Sequence, residues 1–309
     1  MHLNRRQFLQ SSLAASVLAA TVARPLSGAP AKGKSRPIGF SLYGMKSLPV
    51  SEALDHCKRI GYDNVELCLM PEFPTELKKF TPPMRREVRD KLRSTGLAPS
   101  SLLVHISLTD ANQTPSLDII KGSAEVARDL DDRRSPLIES VTGGKTAEWD
   151  KLKDKVAENM RRWAETAAAS GTKIAVKNHF GQIITSPERL LWLHKTVNHP
   201  NFTLAYDYSH YQAEGFELEP TMRAIIPHTG FIHMKDIEVG SKPLKYLLAG
   251  QSGKINYVKY FRLLRELKYT GPVLVEVSAQ IHRLPNYQPI PTAERCYAFL
   301  SKALKDSTA

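Results

Sequence analysis

From residue 37 onward, short apolar runs alternate with longer amphipathic stretches, the order of a parallel sheet whose strands are joined by helical crossovers. Eight such units can be counted, with strands expected at residues 38–43, 64–69, 98–106, 136–141, 173–178, 203–207, 230–235 and 273–277. The stretches between them carry helix punctuation. Pro49 and Ser51 open the first and Pro83 the second, and Gly61, Gly96, Gly171 and Gly271 follow helices. Within residues 147–170, Trp149, Leu152, Val156, Met160, Trp163, Ala164 and Ala167 recur at steps of three and four. One face of that helix packs inward, and its aromatic and Met stripe reads as core.

Eight strand–helix units over about 270 residues predict an α/β chain folded as a (β/α)8 TIM barrel, whose usual length is about 250 residues. A doubly wound sheet is the second arrangement compatible with the pattern. Residues 240–254 read as a loop after the seventh strand, on the face where such barrels carry their active sites. No shift in composition marks a second domain.

Composition narrows the class. With 309 residues, 42% hydrophobic and 24% charged, the chain can bury one substantial core, which excludes a disordered protein or a small disulfide scaffold. The formal charge of +12 raises the question of a nucleic-acid partner. Acids interleave with most of the cations, as in Lys151-Leu152-Lys153-Asp154-Lys155, the pattern of a solvated helix face, so no nucleic acid is expected. Cys57, Cys68 and Cys296 are too few and too far apart for a zinc knuckle, and Cys57 and Cys68, on the first helix and second strand, read as small buried apolar groups.

Residues 1–31 read as an export signal: Arg5-Arg6-Gln7-Phe8-Leu9, then an Ala- and Leu-rich stretch over residues 11–23, then Pro25 and small residues. The stretch resembles a twin-arginine signal, with Asn4 where Ser or Thr is more usual. That resemblance implies a chain handed folded to the twin-arginine export machinery and released into the periplasm. Ala29-Pro30-Ala31 offers a small-x-small cleavage site and Ala23 a second, leaving residues 32–309 as the mature domain. The apolar stretch is shorter than the ~20 residues that cross a bilayer, so no membrane span is expected after signal removal.

In a barrel, polar residues at the carboxyl ends of strands share one mouth. Four units supply them: Ile174-Ala175-Val176-Lys177-Asn178-His179, Leu204-Ala205-Tyr206-Asp207-Tyr208-Ser209-His210, Phe231-Ile232-His233-Met234-Lys235-Asp236 and Val273-Leu274-Val275-Glu276-Val277. In this order they resemble the xylose isomerase-like TIM barrel family of sugar phosphate isomerases and epimerases. The specific parts are Asp-x-x-His at Asp207 to His210, His-x-Lys-Asp at His233 to Asp236, and Tyr-Thr-Gly-Pro-x-x-x-Glu at Tyr269 to Glu276.

The resemblance implies one divalent ion, Mn, Mg, Co or Zn, held by Glu, Asp, His and Glu from strands five to eight. Asp207, His233 and Glu276 match three of those positions. At the first, where the family commonly reads Glu-Asn-His, this chain reads Lys177-Asn178-His179. A charged lysine has three donors and no lone pair, so it repels the ion. Two arrangements stand open. In one, Asp207, His233 and Glu276 hold a weakened metal site, with His179 or His210 swinging in and Lys177 turned away or deprotonated. In the other, the ammonium itself takes the cation's place between Asp207 and Glu276, leaving no metal; the repulsion of two converging carboxylates favours this one.

The resemblance further implies proton transfer at carbon next to a carbonyl of a small-molecule carbohydrate, by isomerisation, epimerisation or elimination. Glu276, Lys177 and Asp207 are the catalytic candidates, and His179, His210, His233 and Lys235 the substrate-binding ones. Lys235 reads equally as the partner of an anionic group or of Asp236. Glu66 and His105 are weaker candidates, Tyr43 stacks or packs, and Glu139 ends another apolar run that can face the mouth but is left out of the site because Arg133 and Arg134 offer ordinary ion pairs. A carbohydrate-binding protein without turnover is the alternative to an enzyme. The apurinic endonuclease branch needs a multi-metal cluster that these strand ends do not supply.

Overall fold

A computed structural model describes residues 38–131 and 134–309; the export signal expected over residues 1–31 lies outside the described residues. The strands are β1 (Ile38–Ser41), β2 (Asn64–Cys68), β3 (Ala98–Leu103), β4 (Leu137–Ser140), β5 (Ile174–Lys177), β6 (Phe202–Asp207), β7 (Thr229–Met234), β8 (Asp236–Glu238), β9 (Lys245–Leu247) and β10 (Val273–Val275). β1 to β7 and β10 pair in parallel in chain order, and β10 closes the barrel against β1. The eight expected units are all present, each in its expected place.

Helix ends follow the punctuation. Pro49 caps Val50–Ile60, Pro82 and Pro83 open Pro82–Thr95, and Gly61 and Gly96 end these helices at φ of 111° and 70°, where a side chain is strained. On Trp149–Ala169 the predicted stripe is buried, with Leu152 half-covered. Several strands stop earlier than expected. At β1, the Ser41 hydroxyl accepts from the Tyr43 amide at 3.3 Å and turns residues 42–45 into a short 3-10 helix.

Two of the hydrophobic clusters among the described residues position the site. The larger lies between strands and helices; a smaller one, Ala175, Ala205, Phe231 and Leu274 with Leu137 packed against it, forms a floor inside the barrel. Gly39 belongs to this floor, since a Cβ there would come within 2.6 Å of Leu274 and 2.7 Å of the Asn64 carbonyl oxygen. Side chains alternate along a strand, so two residues beyond each floor position comes the next inward group. Those groups are Glu139, Lys177, Asp207, His233 and Glu276, joined from β1 to β3 by Ser41, Glu66 and Ser101. Barrel interiors are usually layers of branched apolar side chains. Here the layer above the floor is ionic.

Within residues 240–254, expected as loop, Lys245–Leu247 instead forms a strand, β9, that pairs antiparallel with β8 just before the loop. Fully buried Asp236 anchors the connection behind it, accepting from Ser252 through its amide (3.0 Å) and hydroxyl (2.6 Å) and from the Tyr257 hydroxyl (2.7 Å). On the far side, Gln280 accepts from the Tyr246 amide and donates to the Leu244 carbonyl. The hairpin is thereby tied across the barrel mouth. No described helix is long and apolar enough to cross a membrane.

Candidate active site

Lys177 ends β5 pointing inward with 3% exposure. Its ammonium lies 2.8 Å from Glu276 Oε2, 2.9 Å from His233 Nδ1, 3.7 Å from Glu139 Oε1 and 3.9 Å from Asp207 Oδ2. Burial works against its charge, but Glu139, Glu276 and Asp207 overcome it and hold the group protonated well above the ordinary lysine range. Lys235, one inward step beyond His233, donates to Asp207 Oδ2 and, at 3.0 Å, to Glu276 Oε2. Of its two readings, partner of an anionic group or of Asp236, the pairing with Asp236 is not made. Asp236 is the residue whose side chain turns outward to Ser252 and Tyr257.

Glu276 therefore carries two ammonium contacts on one oxygen, and His233 Nδ1 adds a third at 2.8 Å. Burial raises its pKa, yet Lys177, Lys235 and His233 pull it well below the usual carboxylate value. All of these contacts fall on Oε2. Among the described residues nothing donates to Oε1, and the side chain is 11% exposed, so Oε1 is the open atom of the carboxylate. Asp207 has no such freedom: its Oδ1 accepts from the Ser209 amide (3.1 Å) and hydroxyl (2.6 Å), capping the helix Tyr208–Ala213.

His233 bridges the barrel from Glu276 to Glu66, whose Oε2 is 3.0 Å from Nε2. Burial and Lys177 both disfavour the imidazolium, but Glu66 and Glu276 outweigh them and hold its pKa at about 9. As imidazolium, Nδ1 donates to Glu276; once that proton leaves, Nδ1 accepts from Lys177. Glu66 is itself fixed by Ser41 (2.5 Å) and Ser101 (2.8 Å). Glu66, Asp207 and Glu276 thus face Lys177, Lys235 and His233, acids and bases interleaved. Such balance is what lets a charged cluster survive in a barrel interior.

Glu139 departs from expectation. It is fully buried and turns into the barrel toward Lys177 instead of forming a surface ion pair. Burial lifts its pKa to about 7, only partly offset by Lys177. The signal that could have found it is parity, since Glu139 lies two residues beyond Leu137 as Lys177 lies two beyond Ala175.

The remaining candidates stand nearer the rim. The His179 and His210 rings approach to 4.1 Å between centroids. His210 is buried, with Nε2 3.4 Å from Lys235 Nζ and Nδ1 within 3.2 Å of the Tyr246 hydroxyl, whereas His179 is half-exposed and its Nδ1 meets the Phe180 carbonyl at 2.9 Å. Burial and the neighbouring ammonium groups keep both neutral, His179 at about 4. His105 is exposed, and Tyr43 stacks on Phe73 and meets His282 edge-on at 4.6 Å. Tyr246, which no sequence pattern marked, lies on the hairpin with the Lys235 ammonium 5.4 Å from its ring centre.

Asp207, His233 and Glu276 do converge, each offering a ligand atom within 4.8 Å of the others. This arrangement can hold a cation, and both ammonium groups occupy hydrogen-bonding positions on those same atoms. The chain is 25% identical over 257 residues to inosose isomerase of Halalkalibacterium halodurans, covering 78% of this chain and 87% of the relative. It is 22% identical over 282 residues to L-ribulose-5-phosphate 3-epimerase of Escherichia coli, covering 87% and 97%. A xylose isomerase-like TIM barrel protein of Mycobacterium smegmatis, solved in complex with magnesium, superposes with a TM-score of 0.67 over 89% of this chain and 98% of that one, at 18% identity. The profile of the xylose isomerase-like TIM barrel matches residues 54–297, and the chain belongs to that family.

Proposed function

We propose that this chain is an exported sugar isomerase or epimerase that moves a proton next to the carbonyl of a keto-sugar or ketone-bearing polyol, with ammonium groups in the place of a divalent ion. One observation carries the reading: Glu276 is fixed through Oε2 by Lys177, Lys235 and His233 while Oε1 stays open. Oε1 is the atom that takes the proton from carbon. As it does so, negative charge passes from the carboxylate to the substrate oxygen, and the cations that held the first are in place to hold the second. Charge moves within the cluster, so little reorganisation is needed. Asp207 keeps Lys235 in position, and His210, His179 and Tyr246 line the approach for sugar hydroxyls.

The residues present do not fit a divalent ion. Such an ion needs oxygen and nitrogen ligands at about 2.0–2.6 Å. Here Asp207 Oδ2 and Glu276 Oε2 already accept from buried ammonium groups, and the protonated His233 Nδ1 donates to Glu276, so both lysines and that proton would have to leave. The sugar isomerase and epimerase names of the relatives support the reaction class. The test follows α-carbon exchange of inosose, L-ribulose and L-ribulose 5-phosphate in D2O, with elemental analysis of protein purified without chelator. Exchange that survives chelator in protein with far less than one equivalent of metal is expected. Exchange abolished by chelator and restored by Mn or Mg would overturn the proposal, and sugar binding without exchange would favour the non-catalytic alternative.

Export rests on Arg5 and Arg6. Replacing both by Lys is expected to leave the chain unprocessed inside the cell, measured by fractionation; normal release of the variant counts against a twin-arginine signal.

A further inference from the structure

The proton transfer above makes no use of Glu139, although this carboxyl group stands beside its cations. It is 0% exposed, and among the described residues neither oxygen has a hydrogen-bond partner. A buried polar group left unpaired costs stability, and a Gln or Leu of similar size would fill the space. Lys177 offers a complement. Its ammonium has three hydrogens; one goes to Glu276, and Glu139 Oε1 stands at 3.7 Å, about 0.5 Å beyond hydrogen-bond range. A small movement of the lysine head joins them. The other ionisable groups that act on Glu139 are Glu66 and Cys68 on β2, His233 on β7 and Glu276 following β10. Lys177 and His233 favour its carboxylate, Glu66 and Glu276 oppose it, and burial, the largest influence, favours the protonated acid.

We infer that Glu139 is the proton reserve of Lys177. In the forward step an N–H bond of Lys177 breaks and an O–H bond forms on the substrate oxygen, leaving a neutral amine. The Glu139 O–H bond then breaks, an N–H bond re-forms on Lys177, and a carboxylate remains beside the restored ammonium. When a substrate hydroxyl gives up its proton to regenerate a carbonyl, the proton passes through Lys177 back to Glu139. Nothing is oxidised or reduced. Glu139 never touches the sugar; it acts through Lys177 as a positioning and proton-holding group. The inference rests on the proposed function in giving Lys177 a substrate oxygen to protonate, but the protonated state of Glu139 stands apart from it.

Two measurements on the full chain test this. Infrared spectra should show a carboxylic-acid carbonyl band at pH 6 that disappears by pH 9 and is absent from Glu139→Gln. With inosose in D2O, Glu139→Gln should lose product formation by about 100-fold while α-carbon exchange falls less than about tenfold, and Glu139→Asp should recover part of the product. A missing acid band, product formation at the parental rate, or equal loss of both steps without rescue by Asp overturns the proton reserve. If the parent protein exchanges none of the sugars, the proposed function fails, and the acid band alone then decides whether Glu139 holds the proton.

Discussion

Lys177→Met is expected to lower folding stability by about 3–5 kcal/mol, the usual cost of removing one partner from a buried ionic group. The methionine fills most of the volume, so the loss reports charge. Without the ammonium, Glu139 and Glu276 lose their 3.7 Å and 2.8 Å partner, and Lys235 and His233 must balance the carboxylates alone. At about 2–4 °C per kcal/mol for a domain of this size, the melting temperature should fall by roughly 10 °C. Adding Glu139→Gln should change this little at neutral pH, because without the ammonium Glu139 keeps its proton. A loss under about 1 kcal/mol, measured by denaturant titration, would mean that the lysine neutralises nothing.

The same cluster sets the pH dependence. Glu139 and His233 both hold protons more tightly when folded, with pKa values of about 7 and about 9 against ordinary values of 4.5 and 6.5. Their contributions are complete below the ordinary values and are lost as pH rises through the folded ones. Wild-type stability should therefore decline from about pH 5 to pH 9. In Lys177→Met the loss at Glu139 moves to higher pH, since the nearest cation favouring its carboxylate is gone.

The barrel was legible because eight apolar runs sit between stretches of helical period, with Pro and Gly at the joints. The ends of β5, β6, β7 and β10 were legible for a simpler reason. Lys177, Asp207, His233 and Glu276 are charged or titratable residues at the close of apolar strands, where burial needs a purpose. Glu139 met the same criterion and was assigned to nearby arginines, because local sequence shows which cation is close along the chain and not which face a strand turns inward. Parity against the floor residues Leu137, Ala175, Ala205, Phe231 and Leu274 settles that face, and parity requires the register that only the closed sheet supplies. Lys235 illustrates the same limit. Its sequence neighbour Asp236 lies on the opposite face, while its partner Asp207 is contributed by the adjacent strand. Tyr246 had no readable signal, because its place depends on a hairpin held by the distant side chains of Gln280 and His210.

Glu276→Gln is expected to reduce sugar turnover by about 10³- to 10⁴-fold, since the variant keeps the shape of the site and loses the base. Its effect on the fold should be much smaller than that of Lys177→Met, and the reason lies in what the neighbours can do. A carboxamide still accepts hydrogen bonds from Lys177 and Lys235, at the positions now 2.8 Å and 3.0 Å from Oε2. The cluster becomes one charge too positive, and two groups can correct it. His233 loses one of the two carboxylates that hold its pKa at about 9, and Glu139 loses an anion that helps keep it protonated. Release of one proton from either restores balance. Lys177→Met has no equivalent remedy, because the surplus there is negative and only the further protonation of acids can absorb it. The prediction is a split result: melting temperature within a few degrees of the parent, with α-carbon exchange of inosose or L-ribulose close to background. Unchanged exchange would remove Glu276 as the base, and a collapse in stability as deep as that of Lys177→Met would show that the cluster cannot redistribute its protons.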